Sequence, residues 1–89
     1  MLNQSLIYEF GKRIRQLRTE NGLSQEELSF LTGFHRTYIG MVERGERNIS
    51  LSNIAVFAKA FEISVSDLFQ LTLVNPNHSI ANYETKVNG

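Results

Sequence analysis

Cysteine is absent from the 89 residues. That excludes disulfide staples and thiolate metal sites, so stability has to come from packing. Proline occurs once, at Pro76 in a late polar stretch, so no proline interrupts a helix before it. No apolar run is long enough to span a bilayer. The opening MLNQSLIYEFGKR lacks the basic start and apolar run of a secretory signal. A soluble, cytoplasmic protein with no membrane partner is the expectation. Charge of either sign in excess is also missing: nine Lys and Arg face nine Asp and Glu. Non-specific attraction to nucleic acid should therefore be weak, because that term is mostly phosphate neutralisation. There is no glycine-rich phosphate loop, no paired histidine and no carboxylate pair in an evident pocket. His35 and His78 stand far apart in the sequence, and neither has a second ligand nearby. No enzyme, no cofactor and no metal is expected.

The apolar share is 42%, normal for a globular chain, and the length suits one small domain. Ile7, Phe10, Ile14 and Leu17 recur at helical steps, predicting a first helix from about Gln4 to Glu20 that stops at Asn21-Gly22. Ser24-Gln25-Glu26-Glu27 is a capping box opening a second helix, with Leu28 and Leu31 inward and Gly33 at its end. A third helix is expected from about Arg36 to Arg44, with Ile39 and Val42 inward, Arg36, Thr37, Gly40 and Met41 opposite, and Gly45 as its stop. Ser50 caps a fourth, whose stripe is Leu51, Ile54, Ala58 and Phe61. Ser64 caps a short fifth from Val65 to about Leu71, with Asp67 in the box position. No period-two alternation calls for a strand. The fold class expected is all-α, a compact five-helix domain over 1–74 with a polar tail over 75–89. The tail reads as flexible, or weakly helical through Ile80, Tyr83 and Val87.

The second and third helices are separated by a short link containing Gly33, which fits a helix-turn-helix. Lys12, Arg13, Arg15, Arg18, Arg36, Arg44 and Arg47 fall within the first 47 residues, interleaved with Glu9, Glu20, Glu26, Glu27, Glu43 and Glu46. A basic surface has to arise by folding arginines onto one face.

The ordered set Ser24-Gln25-Glu26-Glu27-Leu28, Gly33, Ile39, Glu43-Arg44-Gly45 and Ser64-x-x-Asp67-Leu68-Phe69 resembles the lambda/Cro-repressor-like, XRE-type helix-turn-helix family from Phe10 to about Phe69. The segments His35-Arg36-Thr37-Tyr38-Ile39 and Val42-Glu43-Arg44-Gly45-x-Arg47-Asn48-Ile49-Ser50 are similar to the controller proteins of restriction–modification systems. Ser29 departs from the alanine that such domains often place at the tight helix–helix contact. The resemblance implies a DNA-binding transcription regulator. Arg36 and Thr37 match its base-reading positions, where an arginine fork suits guanine and threonine offers a hydroxyl or a methyl. Met41 is implied as an apolar contact to the bases. Gln25, His35, Tyr38, Arg44, Arg47, Asn48 and Ser52 are implied as phosphate contacts, with His35 equally readable as a poor cap or an exposed residue. Arg18 and Glu43 match a structural ion pair. Gly40 reads either as a close approach to the sugar-phosphate backbone or as a tolerated weak point.

Specific recognition through one helix per half-site calls for a homodimer. Phe57, Ile63, Val65, Leu71 and Leu73 are the expected interface; the other reading packs them all within one chain. The partners expected are double-stranded operator DNA, a second copy, and RNA polymerase as a further contact. A phage-type repressor, an antitoxin-like regulator and a protein-interaction module remain open beside the controller reading.

Overall fold

The computed structural model describes residues 4–71. Leu73, His78 and the whole 75–89 tail, with Ile80, Tyr83 and Val87, lie outside the described residues. So does the proposed boundary at 74/75.

Helix α1 runs Gln4–Glu20. Its stripe is inward as the spacing predicts: Phe10, Ile14 and Leu17 are buried and Ile7 is half-buried. Two residues the stripe does not announce are also buried. Glu9 sits one place off it, with Lys12 at 3.7 Å. Gly11 lies where α1 crosses α3, and a Cβ there would overlap the Val42 carbonyl oxygen.

Helix α2, Gln25–Thr32, begins with the full capping box. The Glu27 N–H donates to Ser24 Oγ at 3.0 Å, and the Ser24 N–H donates to Glu27 Oε1 at 2.8 Å. Leu28 is fully buried, but Leu31 is 57% exposed, against the expectation that it faces inward. The inward edge of this short helix is Gln25, Leu28, Ser29 and Thr32, none of them exposed. That i, i+3, i+4, i+7 row leaves Leu31 to one side. Gly33 closes the helix at φ 81, a left-handed conformation that glycine enters without strain. Thr32 Oγ1 accepts from the Phe34 N–H, and Ser29 Oγ donates to the Phe34 carbonyl. The serine that departs from the family's alanine thus ties the turn.

Helix α3 spans Arg36–Glu43, with Ile39 and Val42 buried, and Arg44 is its cap rather than its last residue. Helix α4 spans Leu51–Ala60 behind the Ser50 cap, whose hydroxyl accepts from the Asn53 N–H. Its buried row is Ile54, Phe57, Ala58 and Phe61. This corrects two expectations. Leu51 is 75% exposed, because it lies at the open first turn. Phe57 is wholly buried and lies 5.2 Å from the Phe34 ring, so it is core and not interface. It sits in the middle of an i, i+3, i+4, i+7 row, the position a helix buries most deeply.

Helix α5 is only Val65–Leu68, shorter than expected because Phe69 is its cap. Asp67 donates its N–H to Ser64 Oγ at 2.9 Å, the forward half of a capping box. Arg13 of α1 grips the end of α5, donating from Nε to the Leu68 carbonyl at 3.2 Å and from Nη2 to that of Asp67 at 2.8 Å. Phe10 and Phe69 add a ring contact at 5.4 Å. The centre of the domain is Phe57, Ile14, Leu28, Ile39, Leu68 and Val42, contributed by every helix. Each such side chain contributes about 1.5–3 kcal/mol by leaving water. Among the described residues there is no strand, and no helix is long and apolar enough to cross a membrane.

Candidate nucleic-acid interface

The third helix is held from three sides. Its inner face carries Ile39 and Val42 into the core. Its first turn is capped by His35, whose Nδ1 accepts from the Thr37 N–H at 3.0 Å. Histidine is an unusual cap, and the sequence reading undervalued it. Accepting at Nδ1 requires a neutral ring with its hydrogen on Nε2, which leaves that donor for another partner. At the other end Gly45 reverses the chain at φ 74, packed within 3.0 Å of Tyr8 Cα if it bore a Cβ.

What this fixed helix presents is its first turn. Arg36 and Thr37 are both exposed, and Met41, one turn on, is half-buried. The nearest anchor for Arg36 is Glu26 at 4.0 Å, with both side chains more than half exposed. Arg36 is therefore free to swing toward a ligand. An exposed arginine and threonine at the start of a rigid helix can reach base edges in a major groove.

At the other end of α3 lies a polar network that joins three elements. Arg18 donates to Glu43 from Nε at 2.6 Å and from Nη2 at 3.1 Å, and its Nη1 donates to the Leu23 carbonyl at 2.8 Å. The Arg18–Glu43 pairing matches what the resemblance implies. Gln25 was not expected to join it, yet its Nε2 donates to Glu43 Oε1 at 3.0 Å. The carboxylate is almost fully buried and every one of these donors is charged or held, so the network is satisfied rather than strained. It sets the angle between α1, the start of α2 and the end of α3.

Gly40 gains its reason here. It is buried, not on the exposed side as the sequence suggested. A Cβ on it would stand 3.1 Å from Arg44 Nη1 and 3.6 Å from Gln25 Oε1. The missing side chain leaves room for two of the implied phosphate ligands to converge over the helix. Arg44 is itself occupied: its Nε and Nη2 donate to Glu46 at 2.9 and 3.2 Å. The hydrogen bond to Glu46, followed by the direct charge attraction, raises the Arg44 pKa, and the same hydrogen bond is the main cause that lowers that of Glu46.

A second cluster forms around Tyr38. Its ring meets Phe34 edge-on at 5.1 Å, and the Arg47 guanidinium lies over it at 5.5 Å. Asn53 of α4 donates Nδ2 to the Tyr38 hydroxyl at 3.1 Å. The hydroxyl's own proton stays available to donate. Phe34 and Asn53 were missed in the sequence; the apolar residue inside the turn was the available signal for Phe34. Asn48 and Ser52 are exposed in the loop and at the start of α4. Of the remaining interface residues, Ile63 is half-buried and packed on the core, Leu71 is half-buried, and Val65 is 38% exposed.

A helix-turn-helix family matches residues 14–68. The chain belongs to the helix-turn-helix family. It is a DNA-binding transcriptional regulator of that family, and its relatives include controller proteins. Control protein C.BamHI of Bacillus amyloliquefaciens is 44% identical over 66 residues, covering 73% of this chain and 82% of the relative. The crystal structure of the restriction–modification controller protein C.AhdI from Aeromonas hydrophila superposes with a TM-score of 0.68 at 54% identity, covering 71% of this chain and 96% of that one. The controller protein C.Esp1396I, solved as a tetramer in complex with its natural 35 base-pair operator, gives 0.68 at 31% identity over 73% of this chain and 86% of its own. In this helix-turn-helix, α2 and α3 are the paired helices and α3 is the one that presents its first turn.

Proposed function

We propose that this helix-turn-helix protein is a restriction–modification controller that binds operator DNA as a homodimer and regulates its own gene. The observation that carries the reading is the exposed Arg36-Thr37 pair on the first turn of α3, a helix otherwise locked by Ile39, Val42 and the Arg18–Glu43–Gln25 network. Arg36 reads guanine through its fork, Thr37 reads a neighbouring base, and Met41 adds an apolar contact. Gln25, Arg44, Tyr38, Arg47, Asn48, Ser52 and the Nε2 of His35 take phosphates and fix register. The role is binding without catalysis. Controller relatives, one of them solved on its operator, favour this over a phage repressor or an antitoxin-like regulator.

Dimerisation brings two α3 helices to half-sites roughly 34 Å apart, one helical turn of DNA. The surface that remains for it, once Phe57 is assigned to the core, is the α5 end: Val65, Leu71 and the 37% exposed Phe69, with Ile63 behind them. Leu73 and an RNA polymerase contact belong to the same proposal. The tail 75–89 is left outside the binding domain.

The test is binding to the duplex upstream of the protein's own gene, as salt is raised, for wild type and Arg36→Ala. Specific binding that falls steeply with salt and is lost with Arg36 supports the reading. Binding no tighter than to random duplex sinks it and leaves a protein-interaction module. Sedimentation showing only monomer at tens of micromolar would remove the dimer.

A further inference from the structure

The turn after α3 is built like two others in this chain, but it ends differently. At the end of α1, Gly22 donates to the Thr19 carbonyl and Leu23 to that of Arg18, each at 3.0 Å. At the end of α4, Glu62 donates to Lys59 and Ile63 to Ala58, again at 3.0 Å. At the end of α3, Gly45 donates to Val42 at 3.0 Å and Glu46 to Met41 at 2.9 Å. In such a left-handed closing turn the residue after the reversal commonly makes an apolar contact back to the helix. Leu23 and Ile63 do so, packed against the core. The third turn puts Glu46 there instead, exposed, with its carboxylate on Arg44.

The geometry of that contact is a two-pronged one. Arg44 Nε meets Oε2 at 2.9 Å and Nη2 meets Oε1 at 3.2 Å. A guanidinium receives a phosphate through the same kind of fork, so carboxylate and phosphate compete for the Nε and Nη2 edge of Arg44. The turn's two backbone hydrogen bonds fix where Glu46 starts, two residues after Arg44. Glu26 stands at 4.0 Å from Arg36 by a single atom pair and holds nothing comparable.

We propose that Glu46 is an affinity-setting residue, its carboxylate competing within the molecule against a DNA phosphate for the Arg44 guanidinium. Operator binding is held below the level that the arginines of the interface would otherwise give. The proposal rests on the reading that Arg44 contacts a DNA phosphate. Because a complex that takes a phosphate on this fork must first release it from Glu46, the effect is on affinity for all DNA and not on the choice of bases.

The experiment titrates the upstream duplex with the full chain across a range of salt. The proteins are wild type, Glu46→Gln, Glu46→Asp, Arg44→Ala and the double variant Arg44→Ala with Glu46→Gln. Glu46→Gln should tighten binding about threefold, the scale of an exposed ion pair. Glu46→Asp keeps the charge and shortens the reach, so it should tighten binding less, in the same direction. Arg44→Ala should weaken binding and reduce the salt slope by about one. The double variant should bind like Arg44→Ala alone. If Glu46→Gln weakens binding or leaves it unchanged, the carboxylate orients Arg44 or is idle, and the proposal is overturned. If it tightens binding equally with and without Arg44, general repulsion by DNA is the cause; competition is overturned while the phosphate role of Arg44 stands. If Arg44→Ala changes neither affinity nor slope, the phosphate reading itself fails and the competition with it. Both side chains are exposed, so helicity and thermal midpoint should stay close to wild type; should the glutamine variant not fold, Glu46→Asp carries the same test through its sign.

Discussion

Gly11 on α1 and Val42 on α3 meet backbone to backbone: a Cβ on Gly11 would overlap the Val42 carbonyl oxygen and stand 2.8 Å from that of Glu43. The obstacle is main chain at the end of the presented helix, so it cannot turn aside as a side chain would. Gly11→Ala gains about 1 kcal/mol of helix propensity. The overlap should cost more than that gain, as overpacking typically costs about 1–3 kcal/mol. Urea unfolding should show net destabilisation of about 1–2 kcal/mol, and an unchanged or higher midpoint would mean that the α1–α3 contact is looser than described.

Glu43 holds Arg18 and Gln25 at once, and its side chain is nearly buried. Glu43→Ala leaves the mostly buried Arg18 guanidinium without its partner. Breaking a buried pair from one side costs about 3–5 kcal/mol. Arg18→Met with Glu43→Leu should recover much of that loss, because the two desolvation costs vanish together. A double-mutant cycle by chemical unfolding checks both. In the double variant DNA binding should still fall, since Gln25 has lost its anchor over Gly40.

Glu62 is the one described non-glycine residue at positive φ, 58°. It occupies the reversal position that glycine takes after α1 and α3. A side chain in the left-handed region costs about 1–2 kcal/mol, part of which glycine gives back through its freer unfolded chain. Glu62→Gly should therefore raise stability by about 0.5–1 kcal/mol, read as a rise in thermal midpoint. A fall would show that the Glu62 side chain makes a stabilising contact.

Glu27 is held below its ordinary pKa of 4.5 by the Ser24 N–H first and the Ser24 hydroxyl second. A depressed carboxylate favours the folded state at pH above its unfolded value. That contribution is lost as pH falls through the lower folded value. Glu46, lowered by its hydrogen bond to Arg44, acts in the same sense. Stability measured from neutral pH downward should decline through the carboxylate range. Glu27→Gln keeps an oxygen for the Ser24 N–H and should flatten part of that decline; an identical profile would remove Glu27 from its cause.

Most of the helices were legible from local chemistry. Ser24, Ser50 and Ser64 each start a helix, and Gly33 and Gly45 each end one, because caps and left-handed reversals act over a few residues. The apolar part of the inward faces of α1 and α3 followed from spacing, while the burial of Glu9, Gly11 and Gly40 did not. The spacing of α4 supports two rows that share Ile54, Ala58 and Phe61, one through Leu51 and one through Phe57. Packing against the neighbouring elements, Phe34 of the turn among them, selects the second. Leu31 and Leu51 show the same limit: a leucine at helical spacing is buried only if another element covers it.

The sequence by itself determined the class of protein, because the resemblance rests mostly on residues whose roles are local: the caps, the turns, and the Arg36 and Thr37 that open the third helix. Tertiary structure decided which of the polar and charged groups are free. Gln25 proved tied to Glu43, Arg44 to Glu46, and Arg13 to the end of α5. A net charge of zero says nothing about this, since it counts charges without their partners. Whether an arginine meets a carboxylate or stands open to a phosphate depends on distances of a few ångströms, which arise only when the helices pack and their connecting turns close.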